Sequence, residues 1–159
     1  MPTVQSTYSD NMAVGFHGMI ADTSPSELVG RTAEAELEFG YPVIQGTEDN
    51  ECAALAASTD VVTGITVRTA DQESNNISQY DAALLMRRGS MWVTVGQAGG
   101  VDAGDDVWLV VSDGSFTNAD VGSDGGVKIN NARWETTGAD AALARIWFDL
   151  AGGVTAGAS

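Results

Sequence analysis

The sequence has little basic charge: seven Lys and Arg residues stand against 22 Asp and Glu residues, giving a formal charge of −15 over 159 residues. Duplex nucleic acid and anionic membrane surfaces are bound through many basic side chains, so this balance argues against both as partners. Long apolar runs are also missing, since no stretch approaches the roughly 20 residues that span a bilayer. The first residues lack a charged segment followed by an apolar one, so we expect a soluble protein that is not exported.

Cysteine and histidine occur once each, which removes much of the usual covalent and metal chemistry. Cys52 can form no internal disulfide, and its apolar neighbours predict an inert, packed thiol rather than a reactive one. His17 stands between Phe16 and Gly18 with no motif-linked nucleophile or further metal ligand. We therefore expect a packed or solvated imidazole rather than a catalytic base or a zinc ligand.

One acidic stretch, residues 113–124, partly resembles the start of a calcium-binding loop. Asp120 and Asp124 have the spacing of the first ligands, but the twelfth position is Asn131 rather than a bidentate Glu. We interpret these carboxylates as solvated loop residues, with adventitious calcium as the alternative. No carboxylate pair is marked by its neighbours as catalytic. The sequence therefore predicts no metal site, no cofactor and no enzymatic activity.

The 19 glycines are spread along the chain and 43% of the residues are hydrophobic, which is typical of a compact, turn-rich domain. Residues 32–39 alternate between apolar and acidic side chains, the period of a half-buried strand. Further short apolar runs cover residues 43–45, 52–56, 61–68, 83–87, 91–95, 107–111, 132–136 and 143–150. Tight turns are predicted at residues 88–90 and 112–115, and a loop at residues 71–79. The pattern predicts an all-β fold, a compact antiparallel β-barrel or sandwich over residues 25–150.

The two ends differ from this pattern. Residues 1–24 are predicted to form an extended arm, in which Met12, Val14 and Phe16 occupy alternate positions. At about 3.3 Å per residue, the first twenty residues reach roughly 60 Å, enough to cross onto a neighbouring molecule. The alternative is an ordinary edge strand of the same domain. Residues 151–159 contain only small residues and one Val, and are predicted to be a flexible tail.

Three of the four tryptophans alternate with aliphatic residues in the predicted strands. If the aliphatic face is the core, Trp92, Trp108 and Trp147 point the other way. Indoles are enriched at protein interfaces, so we predict that these three residues lie at an oligomer interface, with a second core layer as the alternative. Trp134 shares a face with Ala132 and is predicted to be in the core.

Several short motifs stand in a fixed order along the chain. The first is NMAVGFHGMIAD at residues 11–22, and the last is NARWET at residues 131–136. Between them lie FG at 39–40, VIQG at 43–46, GITVR at 64–68, RG at 88–89, WV at 92–93 and AGD at 103–105. In content and order, these motifs resemble the structural cement (capsid decoration) proteins of tailed bacteriophages. The resemblance covers about residues 2–150.

The resemblance implies a non-enzymatic virion component, made in the host bacterial cytoplasm, that binds the outer surface of the assembled head. Such a protein bridges neighbouring major capsid protein subunits and stabilises the expanded shell against internal DNA pressure. We expect it to form a homo-oligomer, a trimer over a local symmetry axis. The residues expected to contact the capsid or a neighbouring copy are Met12, Val14, Phe16, Met19 and Ile20.

Two other functions are compatible with the residues. A carbohydrate-binding β-module of a virion surface or tail structure would stack exposed tryptophan rings on sugars. A hydrolase would use paired carboxylates, although no pair is selected by the sequence.

Overall fold

The computed structural model describes residues 15–69, 74–121 and 125–157, which form thirteen β-strands and a short 3-10 turn at Leu150–Gly152. In chain order the strands are β1 Met19–Ile20, β2 Glu27–Ala33, β3 Leu37–Glu38, β4 Pro42–Gln45, β5 Glu51–Ala54, β6 Val62–Thr66, β7 Asn76–Ile77, β8 Ala82–Thr94, β9 Asp106–Val110, β10 Phe116–Thr117, β11 Gly126–Trp134, β12 Leu143–Asp149 and β13 Val154–Ala156. Within these ranges, no helix has the length and apolar character needed to cross a membrane.

The longest strand, β8, belongs to two rings of strands. Its first half pairs with β2 on one side and with β6 on the other. The order β8-β2-β5-β4-β6 returns to β8 where Ile65 stands opposite Met86, which closes a small barrel that we call ring A. Its pairs are antiparallel except for β2 and β5, which run parallel.

The second half of β8 begins a further ring. Here β8 pairs with β12, and the order continues through β11 and β9 to β10. An isolated bridge between Val95, just after β8, and Phe116 of β10 brings the last strand back beside the first. We call this set ring B. The predicted all-β fold with a closed, mainly antiparallel barrel is confirmed.

The cores follow from the alternation of side chains along the strands. In β12, Ile146 and Phe148 are fully buried, whereas Arg145 and Trp147 are half-buried on the other face. A smaller apolar cluster lies in ring A and includes Cys52, which confirms the predicted packed thiol. The larger cluster fills ring B and extends to β6 of ring A. The two rings therefore pack as one body.

The predicted turn at residues 88–90 is wrong. Gly89 lies inside β8 with a φ of 137°, and the register with β2 shifts beside it. A Cβ at this position would stand 2.9 Å from the Cβ of Ser26, so the glycine permits a close approach at a bulge. The predicted turn at residues 112–115 is confirmed, since Gly114 has a φ of 67° in the connection between β9 and β10.

Residues 32–39 are not one strand, contrary to the alternation of their side chains. The chain bends between β2 and β3, and Ala35 is exposed although the pattern puts it on the buried face with Leu37. The Glu34 N–H donates to the Cys52 carbonyl at 2.9 Å, and distant residues also bond to the bend. Hydrogen bonds to distant parts of the chain therefore stabilise a bend where the alternation of apolar and acidic residues predicts a continuous strand.

Two segments predicted to be irregular contain strands. In the C-terminal tail, β13 pairs with β11, and Val154 stands opposite Ile129 and packs against the core. In the predicted loop at residues 71–79, β7 pairs with β3 and its Ile77 is buried. Neither segment has an apolar period of its own. Each forms a strand because it pairs with a strand far away in sequence, so the local pattern does not predict it.

Candidate functional site

The base of the predicted arm, residues 16–21, lies along the second half of β8. In β1, Met19 stands opposite Trp92, and the Gly18 N–H donates to the Trp92 carbonyl at 2.8 Å. Ile20 is half-buried and packs against the ring B core. The alternative of an edge strand of the same domain therefore describes Met19 and Ile20 in this structure.

The remaining predicted arm contacts divide into two groups. Met12 and Val14 lie outside the described residues. Phe16 is 56% exposed, and its ring covers the guanidinium of Arg68 at 5.1 Å. The same guanidinium lies 5.8 Å from the centroid of the Phe39 ring. The sequence did not predict this stack, since nothing local links the three residues.

His17 anchors the arm base in a seam between the two rings. Its Nδ1 accepts a hydrogen bond from the Thr94 N–H at 2.9 Å. Its ring meets the buried Phe116 edge-on, with the centroids 6.0 Å apart. Burial lowers the pKa of His17, and a hydrogen bond to the Gly40 backbone partly opposes this shift. The sequence predicts a packed or solvated imidazole, and in the structure this half-buried ring packs against Phe116.

Three tryptophans line the outward face of β8, β12, β11 and β9. Trp92, Trp147 and Trp108 are half-buried there, opposite the fully buried aliphatic residues of the same strands. We call this surface the indole face. The fourth tryptophan, Trp134, is 1% exposed and donates from Nε1 to the Thr117 carbonyl at 3.1 Å. Its predicted core position is confirmed.

Ion pairs lie between the indoles on this face. They join Arg145 to Glu135 (2.6 Å) and Asp22 (3.7 Å), Lys128 to Asp106 (2.7 Å), and Arg88 to Asp149 (3.9 Å). The exposed Arg133 stands opposite Trp147 and Asp106 in the strand register. The indole face thus has four basic and four acidic side chains and is neutral, so the whole charge of −15 belongs to the rest of the chain.

The end of ring A at which β2 ends is acidic. Glu34 accepts hydrogen bonds from the Thr47 side chain at 2.5 Å and from the Thr47 N–H at 3.2 Å. The Thr32 N–H donates to the Asn50 carbonyl, which brings the connection between β4 and β5, with Glu48 and Asp49, beside this strand. Among the described residues, no group of three or more His, Cys, Asp or Glu is arranged to hold a metal ion.

The acidic stretch near residue 120 is only partly described, because residues 122–124 lie outside the described ranges. The Asp120 carboxylate accepts a hydrogen bond from the Gly126 N–H at 2.7 Å. Asn131, at the twelfth position of the calcium-loop pattern, lies in β11. The Asp120 carboxylate thus accepts a hydrogen bond from the first backbone N–H of β11.

Comparison with known proteins identifies the family. The model of the phage structural cement protein family (E217 gp24/Pam3 gp6) matches residues 4–148, nearly the whole chain. The chain belongs to this family. No curated protein matches the sequence. Membership gives the chain a structural, capsid decoration role in a phage virion and associates it with the capsid shell, as the motifs at residues 11–22 and 131–136 predicted.

Two solved structures share the fold of this cement family member. One is a chain in the capsid of Myoviridae phage XM1, with a TM-score of 0.75 and 18% identity, over 94% of this chain and 98% of that chain. The other is the crystal structure of the head fiber gp8.5 N base in bacteriophage phi29, with a TM-score of 0.50 and 12% identity. That match covers 79% of this chain and 95% of the phi29 chain. At these identities the likeness concerns the fold.

Proposed function

We propose that this chain is a non-enzymatic decoration protein that binds the outer surface of the assembled head and bridges neighbouring major capsid protein subunits. By this bridging it stabilises the expanded shell against internal DNA pressure. The observation that carries the proposal is the match to the cement family over residues 4–148. The fold supports it, because two rings that share β8, with the larger apolar cluster extending from ring B to β6 of ring A, form a rigid body suited to a bridge.

Bridging gains affinity from geometry rather than from any single strong contact. When one rigid body touches two subunits at once, the second contact forms at high effective concentration, which multiplies affinity by about 10²- to 10⁴-fold. A protein that binds the expanded shell and not its precursor stabilises the expanded state by mass action. No chemical step is needed for this function.

The charge supports a position on the outside of the shell. Outside the indole face, 18 acidic residues stand against three basic ones, so the body repels a packaged polyanion. The carboxylates around Glu34 and Glu48 make the far end of ring A strongly anionic. A molecule with this field favours the outer surface over the inner one.

The arm remains the proposed contact with the capsid or with a neighbouring copy. Met12 and Val14 precede the arm base in sequence, and Phe16 is exposed. Met19 and Ile20 pair with β8 of their own chain, so we assign them to holding the arm base rather than to the contact itself. The residues before Gly15 would then add as a strand to an apolar groove or a sheet edge of the partner.

Head binding tests this proposal. Purified chain is incubated with undecorated expanded heads and with unexpanded heads, and cosedimentation measures binding. We expect binding to expanded heads only, and loss of about 10²-fold or more in affinity for a Met12→Asp/Val14→Asp variant, because charges cannot enter an apolar groove. The control, Thr3→Asp/Ser6→Asp, adds the same charge outside the apolar positions and should bind normally.

Two results would count against the proposal. If the wild-type chain binds neither kind of head, it is not a decoration protein. If both charge variants bind like the wild type, the contact does not run through Met12 and Val14. Cryo-electron microscopy of decorated heads then locates the chain on the outside or the inside of the shell.

A further inference from the structure

We propose that His17 is a positioning residue that holds the arm base on ring B only while its imidazole is neutral, and that proton uptake releases the arm base. The inference rests on the proposed function, because it concerns the segment from which the arm would reach the capsid. The inference adds that protonation of His17 controls whether this segment is docked on ring B.

Both nitrogens of His17 are engaged in the docked position. Nδ1 accepts from the Thr94 N–H, so the ring is neutral and its proton is on Nε2, which faces the Gly40 backbone. An imidazolium ion has no acceptor. A proton on Nδ1 would face the Thr94 N–H, replacing a hydrogen bond with two opposed donors and leaving a partly desolvated charge in the seam.

The neighbours of His17 offer little to compensate for such a charge. Glu38 and Arg68, which carry opposite charges, line the same cleft, and the pKa of His17 responds to burial and to the Gly40 backbone. β8 presents Thr94, and β10 presents Phe116, neither of which is charged. Desolvation therefore dominates and lowers the pKa of His17.

The direction of the pH effect follows from this difference. An undocked His17 has a pKa near the ordinary 6.5, and the docked ring has a lower one. The undocked state binds more protons, so its population rises as pH falls. Docking is at full strength above about pH 6.5 and is lost as pH falls through the pKa of the docked ring.

The arm base depends on this ring. Next to His17, the Gly18 carbonyl accepts from the Arg68 N–H and the Gly18 N–H donates to the Trp92 carbonyl, each at 2.8 Å. Gly18 has a φ of 84°, and a Cβ there would lie 2.6 Å from the Gly40 nitrogen. These contacts require residue 18 to lie close against the backbone of residues 40, 68 and 92. Expulsion of the His17 ring would separate the segment from them.

The test uses the free, full-length chain. His17 is the only histidine, so its ring resonances are followed by NMR without ambiguity from pH 8 to pH 4.5. Hydrogen exchange of the Thr94 and Gly18 amides, corrected for the intrinsic pH dependence, is measured over the same range. We expect a His17 midpoint below 6.5 and a loss of protection at both amides of about tenfold or more below that midpoint.

Two variants separate proton sensing from simple packing. In His17→Asn, the side-chain oxygen can replace Nδ1 as the acceptor for Thr94 but does not titrate. We expect protection at Thr94 with no pH step. In His17→Gln, the amide reaches toward Gly40 and leaves the Thr94 N–H without its acceptor, so protection should be lower at every pH.

Several outcomes would overturn the inference. They are a His17 midpoint at or above 6.5, unchanged protection of Thr94 through the midpoint, or the same pH step in His17→Asn as in the wild type. A parallel loss at Leu85, in the ring A core, would mean global acid unfolding and would also overturn it. Because no head is present, failure here leaves head binding at neutral pH untouched. Failure of head binding likewise leaves this result intact.

Discussion

Gly89 shows how one residue fixes the course of the chain. Its φ of 137° is unfavourable for other residues, and a Cβ would stand 2.9 Å from Ser26 and 3.2 Å from the sulfur of Met86. We expect Gly89→Ala to lower the free energy of unfolding by about 1–3 kcal/mol. Urea denaturation measures the change. In the control, Gly30→Ala in β2, a Cβ meets nothing within 4 Å, and we expect a change of at most about 0.5 kcal/mol. Equal stabilities for the two variants would contradict the assignment of Gly89 to a strained position beside a bulge.

Residue-level expectations succeeded where the local pattern decides burial. Trp134 is buried as alternation predicts, because a strand that faces a core buries every second side chain, and Cys52 is buried as its apolar neighbours predict. Expectations failed at Gly89, because Arg-Gly-Ser has the same composition in a tight turn and in a strand that passes a bulge. Arg68 was missed as part of the arm base, since its stack with Phe16 and Phe39 joins three distant segments.

The element β13 is predicted to contribute measurable stability. It pairs with β11 over residues 127–129, the Thr155 hydroxyl donates to the Asn130 side chain at 2.7 Å, and Val154 packs on the core. We expect removal of residues 153–159 to lower the free energy of unfolding by about 1–3 kcal/mol, from a partly buried Val and lost hydrogen bonds. Urea denaturation and exchange of the amides at residues 127–129 measure this effect.

Removal of only residues 158–159 is the control, because they follow β13. It should leave stability and amide protection unchanged. If the longer truncation also changes neither, the pairing of β13 with β11 is not stabilising.

Element boundaries were predictable where a run is apolar and regular. The runs at residues 107–111 and 143–150 correspond closely to β9 and β12. The tail was predicted to fray because Gly, Ala, Ser and Thr carry no hydrophobic period. Its strand exists because the β11 edge is available beside it, which is information from the fold rather than from the tail.

At the scale of the whole molecule, the neutral indole face is the proposed surface for self-association, as a trimer. Copies with a charge of −15 repel each other, and added salt screens this repulsion while leaving aromatic burial intact. We therefore expect association to strengthen from about 0.05 M to about 0.5 M salt, measured by sedimentation equilibrium.

Substitutions on the indole face should act on this association alone. Trp108→Ala and Trp147→Ala are suited to the test because Trp92 also contacts the arm base. Each should weaken association about tenfold or more and leave unfolding cooperative. Tyr80→Ala, at an exposed position in the turn between β7 and β8, is the control. This face would be excluded as the interface if added salt weakens association, or if Trp108→Ala and Trp147→Ala both associate like the wild type.

The fold class was predictable as a whole, whereas its topology was not. Short apolar runs between turn residues predict a barrel, and the motifs at residues 11–22 and 131–136 indicate the family. Nothing local shows that one strand serves two rings, because residues 83–87 and 91–95 look like separate strands joined at Gly89. The indole face depends on that sharing, since β8 and β12 bring Trp92 and Arg145 opposite each other.

The sharing of β8 has a mechanical consequence. Ring A is hydrogen-bonded to its first half and ring B to its second half, so no flexible linker separates the two rings. A pull applied to one ring and resisted by the other runs lengthwise along a single strand. It loads many hydrogen bonds in shear at the same time, instead of peeling them apart one by one.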